Sequence, residues 1–250
     1  MSRDIQLTTR MAEQIGLWDR CGDRRAIFLN CYARMTGNMF AAVQAGRFHD
    51  PLWVTDLIHN FAAYYFQAIA AYESADPRLP TSWRAAFDRA GRAETPVVVS
   101  LLLGVNAHIN YDLVQVLADM LGPVWRDLAP QTRHERYADY TIVNAVIAET
   151  IDRVQDEVVE PYARLMQALD VVCGPLDEWC AARLLKGWRA DVWSQALAII
   201  EAPDPPTGLA LRRRADDLAL ARVSLLLDRG ELGARVFGYP LRWLARLRLI

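Results

Sequence analysis

The sequence predicts an all-α fold: one domain over residues 1–250 built from seven to nine helices. Three observations carry this. Apolar residues recur at three- and four-residue spacing almost from end to end. A capping residue followed by proline, a strong helix start, occurs at Asp50-Pro51 and at Thr95-Pro96. The one β-rich run, Val97-Val98-Val99, has no second run to pair with.

The first helix follows from Leu7, Met11, Ile15 and Trp18, which lie on one face. Asp23 opens a second helix to about Ala45, with Phe28, Tyr32, Met35 and Met39 along one stripe. Gly46 stands where a left-handed closing residue is wanted. A third helix runs from Pro51 to about Ser74 and is apolar over most of its circumference, as a central helix is. Asp76-Pro77 ends it, and Thr81 to Ala90 forms a shorter segment carrying Trp83 and Phe87. The helix opened by Thr95-Pro96 extends to Leu121 and stops at Gly122-Pro123.

Pro130 to Arg136 is polar and reads as a loop. A long helix is then expected from Asp139 to about Val172, kinked at Pro161, where proline removes a backbone hydrogen bond. Another covers Asp177 to Glu201, and a last one runs from about Leu209 to Asp228, with Gly230 behind it. Residues 203–208 read as a proline-rich connection to the C-terminal helix and tail. There is no fixed-period repeat and no low-complexity segment.

Composition narrows the function. Hydrophobic residues are 53% of the chain, enough for a buried core and too many for a disordered segment. Formal net charge is −2, whereas nucleic-acid binding rests on a surplus of Lys and Arg, so no nucleic-acid partner is expected. The polar start lacks the features of a secretory signal. The longest apolar stretch, Val97 to Val105, falls short of the ~20 residues of an integral membrane segment. Cys21, Cys31, Cys173 and Cys180 show neither a CxxC nor a zinc-finger spacing and read as reduced thiols. A cytoplasmic location is the expectation.

The most unusual segment is Gly104-Val105-Asn106-Ala107-His108-Ile109-Asn110-Tyr111-Asp112, where four polar side chains interrupt an otherwise apolar helix. Asn106 and Asn110 share one helical face; His108 and Asp112 share another, roughly opposite. Burying such groups costs several kcal/mol unless each is bonded or bound. A carboxylate four residues from an imidazole orients the ring, fixes its tautomer and raises its pKa, as a general acid or base requires. The same spacing suits two ligands of one metal ion. The third reading is a buried polar network that fixes helix register.

Asp50-Pro51-x-Trp53-Val54, Phe61-Ala62-x-x-Tyr65-Phe66-x-Ala68 and Leu101 to Leu113, which contains NAHINYDL, resemble an uncharacterised, mostly actinobacterial family catalogued as a domain of unknown function. The resemblance extends from Asp23-Arg24-Arg25 to about Trp193 and brings no activity to transfer. It supports the choice of residues, not of a reaction.

A metal centre needs further ligands. Asp56 and His59, three apart on the third helix, and Glu149 with Asp152 on the long helix, complete a set of the kind helical bundles use for divalent ions. No Glu-x-x-His motif accompanies them, and the resemblance places Asp56 and His59 outside its pattern. Asp139 reads as a helix N-cap, or as a second carboxyl group facing His108; Asn144 lies one turn further on. His49 and His134 read as surface residues.

Aromatic side chains are mostly core, but an aromatic-lined cavity with a few polar groups is also what an apolar ligand site looks like. Tyr64, Tyr65, Tyr111 and Trp188 are the candidates to line it. GxGxxG, P-loop and GxSxG motifs are absent, and Asp216-Asp217 lacks the third acidic residue of a terpene-synthase motif at Leu220. The tail from Leu241 to Ile250 alternates Arg with apolar residues and suits docking on the domain or on a second subunit, which leaves a homodimer open.

Three functions follow. The first is an enzyme, of cyclase or isomerase type in specialised metabolism, acting on an apolar small molecule without a cofactor. In it His108, oriented by Asp112, exchanges protons while Asn106, Asn110 and a tyrosine position polar atoms. The second is a metal-dependent hydrolase or oxygenase using His108, Asp112, Asp56, His59 and Glu149. The third is a non-catalytic ligand-binding or interaction protein.

Overall fold

The computed structural model describes residues 2–92, 94–95, 97–157 and 177–246; the side chains of 97–98, 151–157, 177–182 and 228–246 lie outside the description. Among the described residues the chain forms eight helical rods and no strand. They are α1 (Arg3–Cys21), α2 (Arg25–Gln44), α3 (Pro51–Glu73), α4 (Thr81–Ala90), a rod made of α5 (Val97–Ala107), a π-helical turn (His108–Asp112) and α6 (Leu113–Leu121), then α7 (Pro130–Glu157), α8 (Asp177–Ile200) and α9 (Pro205–Arg246). No helix among the described residues is long and apolar enough to cross a membrane.

The α5–π–α6 rod is the axis of the fold. Its sequence is apolar nearly all round, and helices pack on every side: α2, α4 and α9 on α5, α3 and α8 on α6. Leu103, Ala107, Val114, Val116 and Leu117 have no exposed surface at all. Gly104 sets how closely α2 approaches. A Cβ there would lie 2.6 Å from the Phe28 ring, so any larger residue would push the ring away.

Local chemistry explains most boundaries. Asp50 accepts the Trp53 amide at 2.9 Å and Pro51 stands at the first helical position, as the sequence predicts. Gly46 closes α2 at φ +69°. Asp23 lies just outside α2; its Oδ1 accepts the Arg25 amide at 2.9 Å. For α4 the capping group is distant in sequence. Asp216 of α9 accepts from the amides and hydroxyls of Thr81 and Ser82, four bonds of 2.6–3.0 Å.

Several boundaries depart from the sequence reading. Residues 130–136 belong to α7, which starts at Pro130, where proline's missing amide costs nothing. Gln131 reaches Glu135 one turn on. Asp139 is therefore a mid-helix residue and not an N-cap. The last helix starts at Pro205 because Asp204 caps it, accepting the Thr207 amide at 2.7 Å, so the proline-rich connection is shorter than 203–208. Gly230 lies inside that helix; one glycine costs about 1 kcal/mol and need not end it. The Pro161 kink, Cys173 and the end of the tail fall outside the described residues, as do the side chains of Asp152 and Cys180.

Candidate functional site

The rod changes register at the residues the sequence singles out. The Leu113 amide bonds the His108 carbonyl, an i to i+5 pairing that defines the π turn. Such turns carry one extra residue and often stand at functional sites. Within the turn, His108 Nδ1 lies 2.9 Å from Asp112 Oδ2, and both side chains are buried, 4% and 1% exposed.

Trp83 of α4 completes the arrangement. Its Nε1–H donates to both Asp112 oxygens, at 2.9 and 3.0 Å, from a side chain with no exposed surface. Burial pushes the Asp112 carboxyl well above its ordinary range, tempered by the Trp83 bond and reinforced by Asp216. His108 is not raised by the neighbouring carboxyl group, as the spacing suggests; burial alone drives it well below 6.5, because a desolvated imidazolium costs more than the pair returns. Both directions favour an uncharged pair. In an uncharged pair Asp112 donates its proton to Nδ1, which assigns the ring's own proton to Nε2.

That nitrogen has no hydrogen-bond partner among the described residues. Around the imidazole stands a shell of rings from α2 and α3. Phe61 stacks flat on the imidazole, centroids 3.6 Å apart and planes within 6°. Tyr32 meets it edge-on at 4.4 Å, and Phe28 and Tyr65 follow at 5.6 and 5.8 Å. The Tyr65 hydroxyl is likewise buried and without a partner among the described residues, and the buried hydroxyls of Tyr32 and Thr36 have only each other. Burial raises both tyrosines above their ordinary range, so both hydroxyls keep their protons. Each unsatisfied buried polar group costs about 1–3 kcal/mol.

Asn106 and Asn110 face the other way, toward α9. Asn106 donates to the Ala219 carbonyl at 2.8 Å, and Asn110 donates to Asn106 at 2.9 Å, leaving only Asn110 Oδ1 without a partner. The polar segment thus divides into a helix-bridging amide pair and a histidine pair enclosed by rings.

The remaining candidates disperse. Tyr64 donates to Asp119, which also holds Arg212 at 2.6 Å. Tyr111 is half-buried, its hydroxyl pushed up to about 12 by burial and by Asp112. Asn144 accepts from the buried Arg189 at 2.8 Å, and Trp188 is buried beneath Arg222. Asp139 does not serve His108. Its oxygens accept the amides of His49 and Asp50 at 2.7 and 2.9 Å and hold His49 Nδ1 at 2.9 Å. This second histidine–aspartate pair was missed because ninety residues separate its members.

The ligands of the metal alternative do not assemble. Asp56 pairs with Arg3, His59 with Asp4 and Glu149 with Arg47. Among the described residues no three His, Cys, Asp or Glu side chains come together as a metal site would need. Of the four expected aromatic residues, Tyr65 alone meets the His108 ring among the described contacts, and Phe61, Tyr32 and Phe28 make up the rest of the shell. An open groove of about 410 Å³ lies elsewhere, between the end of α8 and the start of α9, lined by Ile199, Pro203, Asp204, Leu209 and Arg212.

Comparison with known proteins places the chain in a family. The model of the family of unknown function DUF5995 matches residues 6–229, and the chain belongs to it. The match is wider than the stretch from Asp23 to Trp193 on which the sequence resemblance rests. No curated protein and no solved structure matches.

Proposed function

We propose that this family member is an enzyme of isomerase or cyclase type, in which His108 exchanges protons with a mostly apolar small molecule. The observation that carries the reading is the partnerless Nε2 of His108, at the end of a relay from Trp83 through Asp112. As the Nε2 proton passes to the substrate, the Asp112 proton moves to Nδ1 and Trp83 holds the carboxylate left behind. The ring never carries net charge, which suits its apolar surroundings. The reverse transfer takes a proton from another position of the substrate. Asp112 and Trp83 act as positioning residues.

Access to the ring runs past Phe61. It covers one face of the imidazole and is itself only partly buried, so it is the thinnest part of the wall. A rotation of its side chain opens that face without moving a helix.

The test needs no knowledge of the natural product. Protein in D2O is incubated with simple ketones, and exchange beside the carbonyl is followed by proton NMR. Exchange is expected with wild type and should fall at least 100-fold in His108→Gln, a loss within the usual range for one acid–base group. Undiminished exchange in a folded His108→Gln protein would refute the reading. The partnerless groups also favour a ligand-binding protein without chemistry; ketone binding with no exchange by wild type would select that alternative.

A further inference from the structure

The ring shell around His108 specifies more than proton transfer. Its polar groups are the hydroxyls of Tyr32, Tyr65 and Thr36 together with His108 Nε2, all fully buried. The Tyr32 and Tyr65 rings lie 4.4 and 5.8 Å from the imidazole and 5.8 Å from each other, so the hydroxyl-bearing rings and the histidine form one cluster. Each of these groups has a proton to donate; Tyr32 and Thr36 have only each other, and Tyr65 and His108 Nε2 have no acceptor among the described residues. Charged groups near the shell are already matched. Arg25 is held by Asp23 and Glu73, and Asp112 by Trp83 and His108. An ionic ligand would enter this space with no counter-charge, at a cost of several kcal/mol.

We infer that the ligand is a neutral molecule with a flat apolar part, which takes Phe61's place on the imidazole face, and a carbonyl oxygen held by the hydroxyls of Tyr32 and Tyr65. This rests on the reading of His108 above and adds the substrate class. The two tyrosines hold the oxygen while charge develops on it. His108 gives its Nε2 proton to that oxygen, and the Nε2 thus bared takes the proton from the adjacent carbon, which leaves a neutral enol and the ring as it began; the same two transfers in reverse, to another position of the skeleton, complete the isomerisation.

Four naphthalene probes of similar shape test it on the intact protein by saturation-transfer NMR with competition titrations: 2-acetylnaphthalene, 2-naphthoate, 2-naphthylmethylammonium and 2-methylnaphthalene. The ketone is expected to bind at least about tenfold more tightly than either ion. A Tyr32→Phe/Tyr65→Phe protein should lose about ten- to hundredfold in ketone affinity, the range expected for two hydrogen bonds. It should bind 2-methylnaphthalene as wild type does. Removing two buried hydroxyls is not expected to unfold the chain, and circular dichroism checks this.

Equal or tighter binding of either ion, unchanged ketone binding in the double variant, or no binding of the ketone would overturn the inference. The two readings fail separately. Ketone exchange that depends on His108 but not on the tyrosines removes the substrate assignment and leaves the proton transfer standing. Tyrosine-dependent ketone binding without exchange does the reverse.

Discussion

His49 and His108 each hold an aspartate oxygen 2.9 Å from Nδ1, yet the two carboxyl groups meet different neighbours. Asp139 is fully buried and satisfied by two backbone amides as well as by His49, whose side chain is half exposed. Its bonds tie α7 to the residues leading into α3, and the histidine is an outer cover on that joint. Asp112 accepts no backbone amide. Its bonds go to an indole and an imidazole, and the imidazole ends in a nitrogen with no partner inside a closed shell. The same contact distance therefore serves a structural joint in one place and a poised ring in the other. What separates them is where the remaining hydrogen-bonding capacity points.

The largest expected effect tests the joint. Asp139→Ala leaves two backbone amides without an acceptor and should lower stability by about 2–4 kcal/mol in urea denaturation. His49→Ala should change it by less than about 0.5 kcal/mol, as for an exposed side chain. Comparable losses in both would mean that the histidine is part of the joint, and the contrast would collapse.

A smaller effect is expected at the other pair. Trp83→Phe removes both hydrogen bonds that reach Asp112 from outside its turn among the described residues and should cost about 1–3 kcal/mol. It should also slow ketone exchange without abolishing it, since His108 remains. An unaffected exchange rate with the expected loss of stability would reduce Trp83 to packing.

The pH dependence is smaller still and has a definite sign. The folded His108 is held below 6.5 and the folded Asp112 above 3.8, both by burial. Between those values the unfolded chain binds one proton on the histidine and the folded chain one on the aspartate, so the pair adds no slope. Above 6.5 the unfolded pair holds no proton, so over the range in which the folded Asp112 keeps its own, stability falls as pH rises. Below 3.8 the unfolded pair holds two, so stability falls as pH drops. The upper limb should approach about 1.4 kcal/mol per pH unit. Subtracting the stability profile of His108→Gln/Asp112→Asn isolates it; a flat difference from pH 6 to 8 would contradict the uncharged pair.

The legible parts of the molecule were those encoded over one or two turns. Asp50-Pro51, Gly46 and the periodic stripes specified helices because capping and burial are local. His108 and Asp112 could be paired because four residues bring side chains to one face in an α-helix and nearly so in a π turn. Pro130 and Pro205 misled because proline begins helices as well as breaking them, and the polar residues after Pro130 offered no apolar stripe to decide. Trp83 as the second support of Asp112, Asp139 as the partner of His49, and Asp216 as the cap of α4 all depend on how helices pack. The π turn had no signal of its own, since one extra residue leaves the composition unchanged.

The state of the His108 ring is the point on which everything at this site depends, and histidine nitrogens report it directly. In protein labelled with 15N-histidine, long-range proton–nitrogen spectra from pH 5 to 8 distinguish the imidazolium from each neutral tautomer. The expected result is a neutral ring throughout that range, protonated at Nε2 and bare at Nδ1, with that single tautomer giving way to a mixture in Asp112→Ala. An imidazolium at pH 7, or a proton on Nδ1 with Nε2 bare, would contradict the uncharged relay.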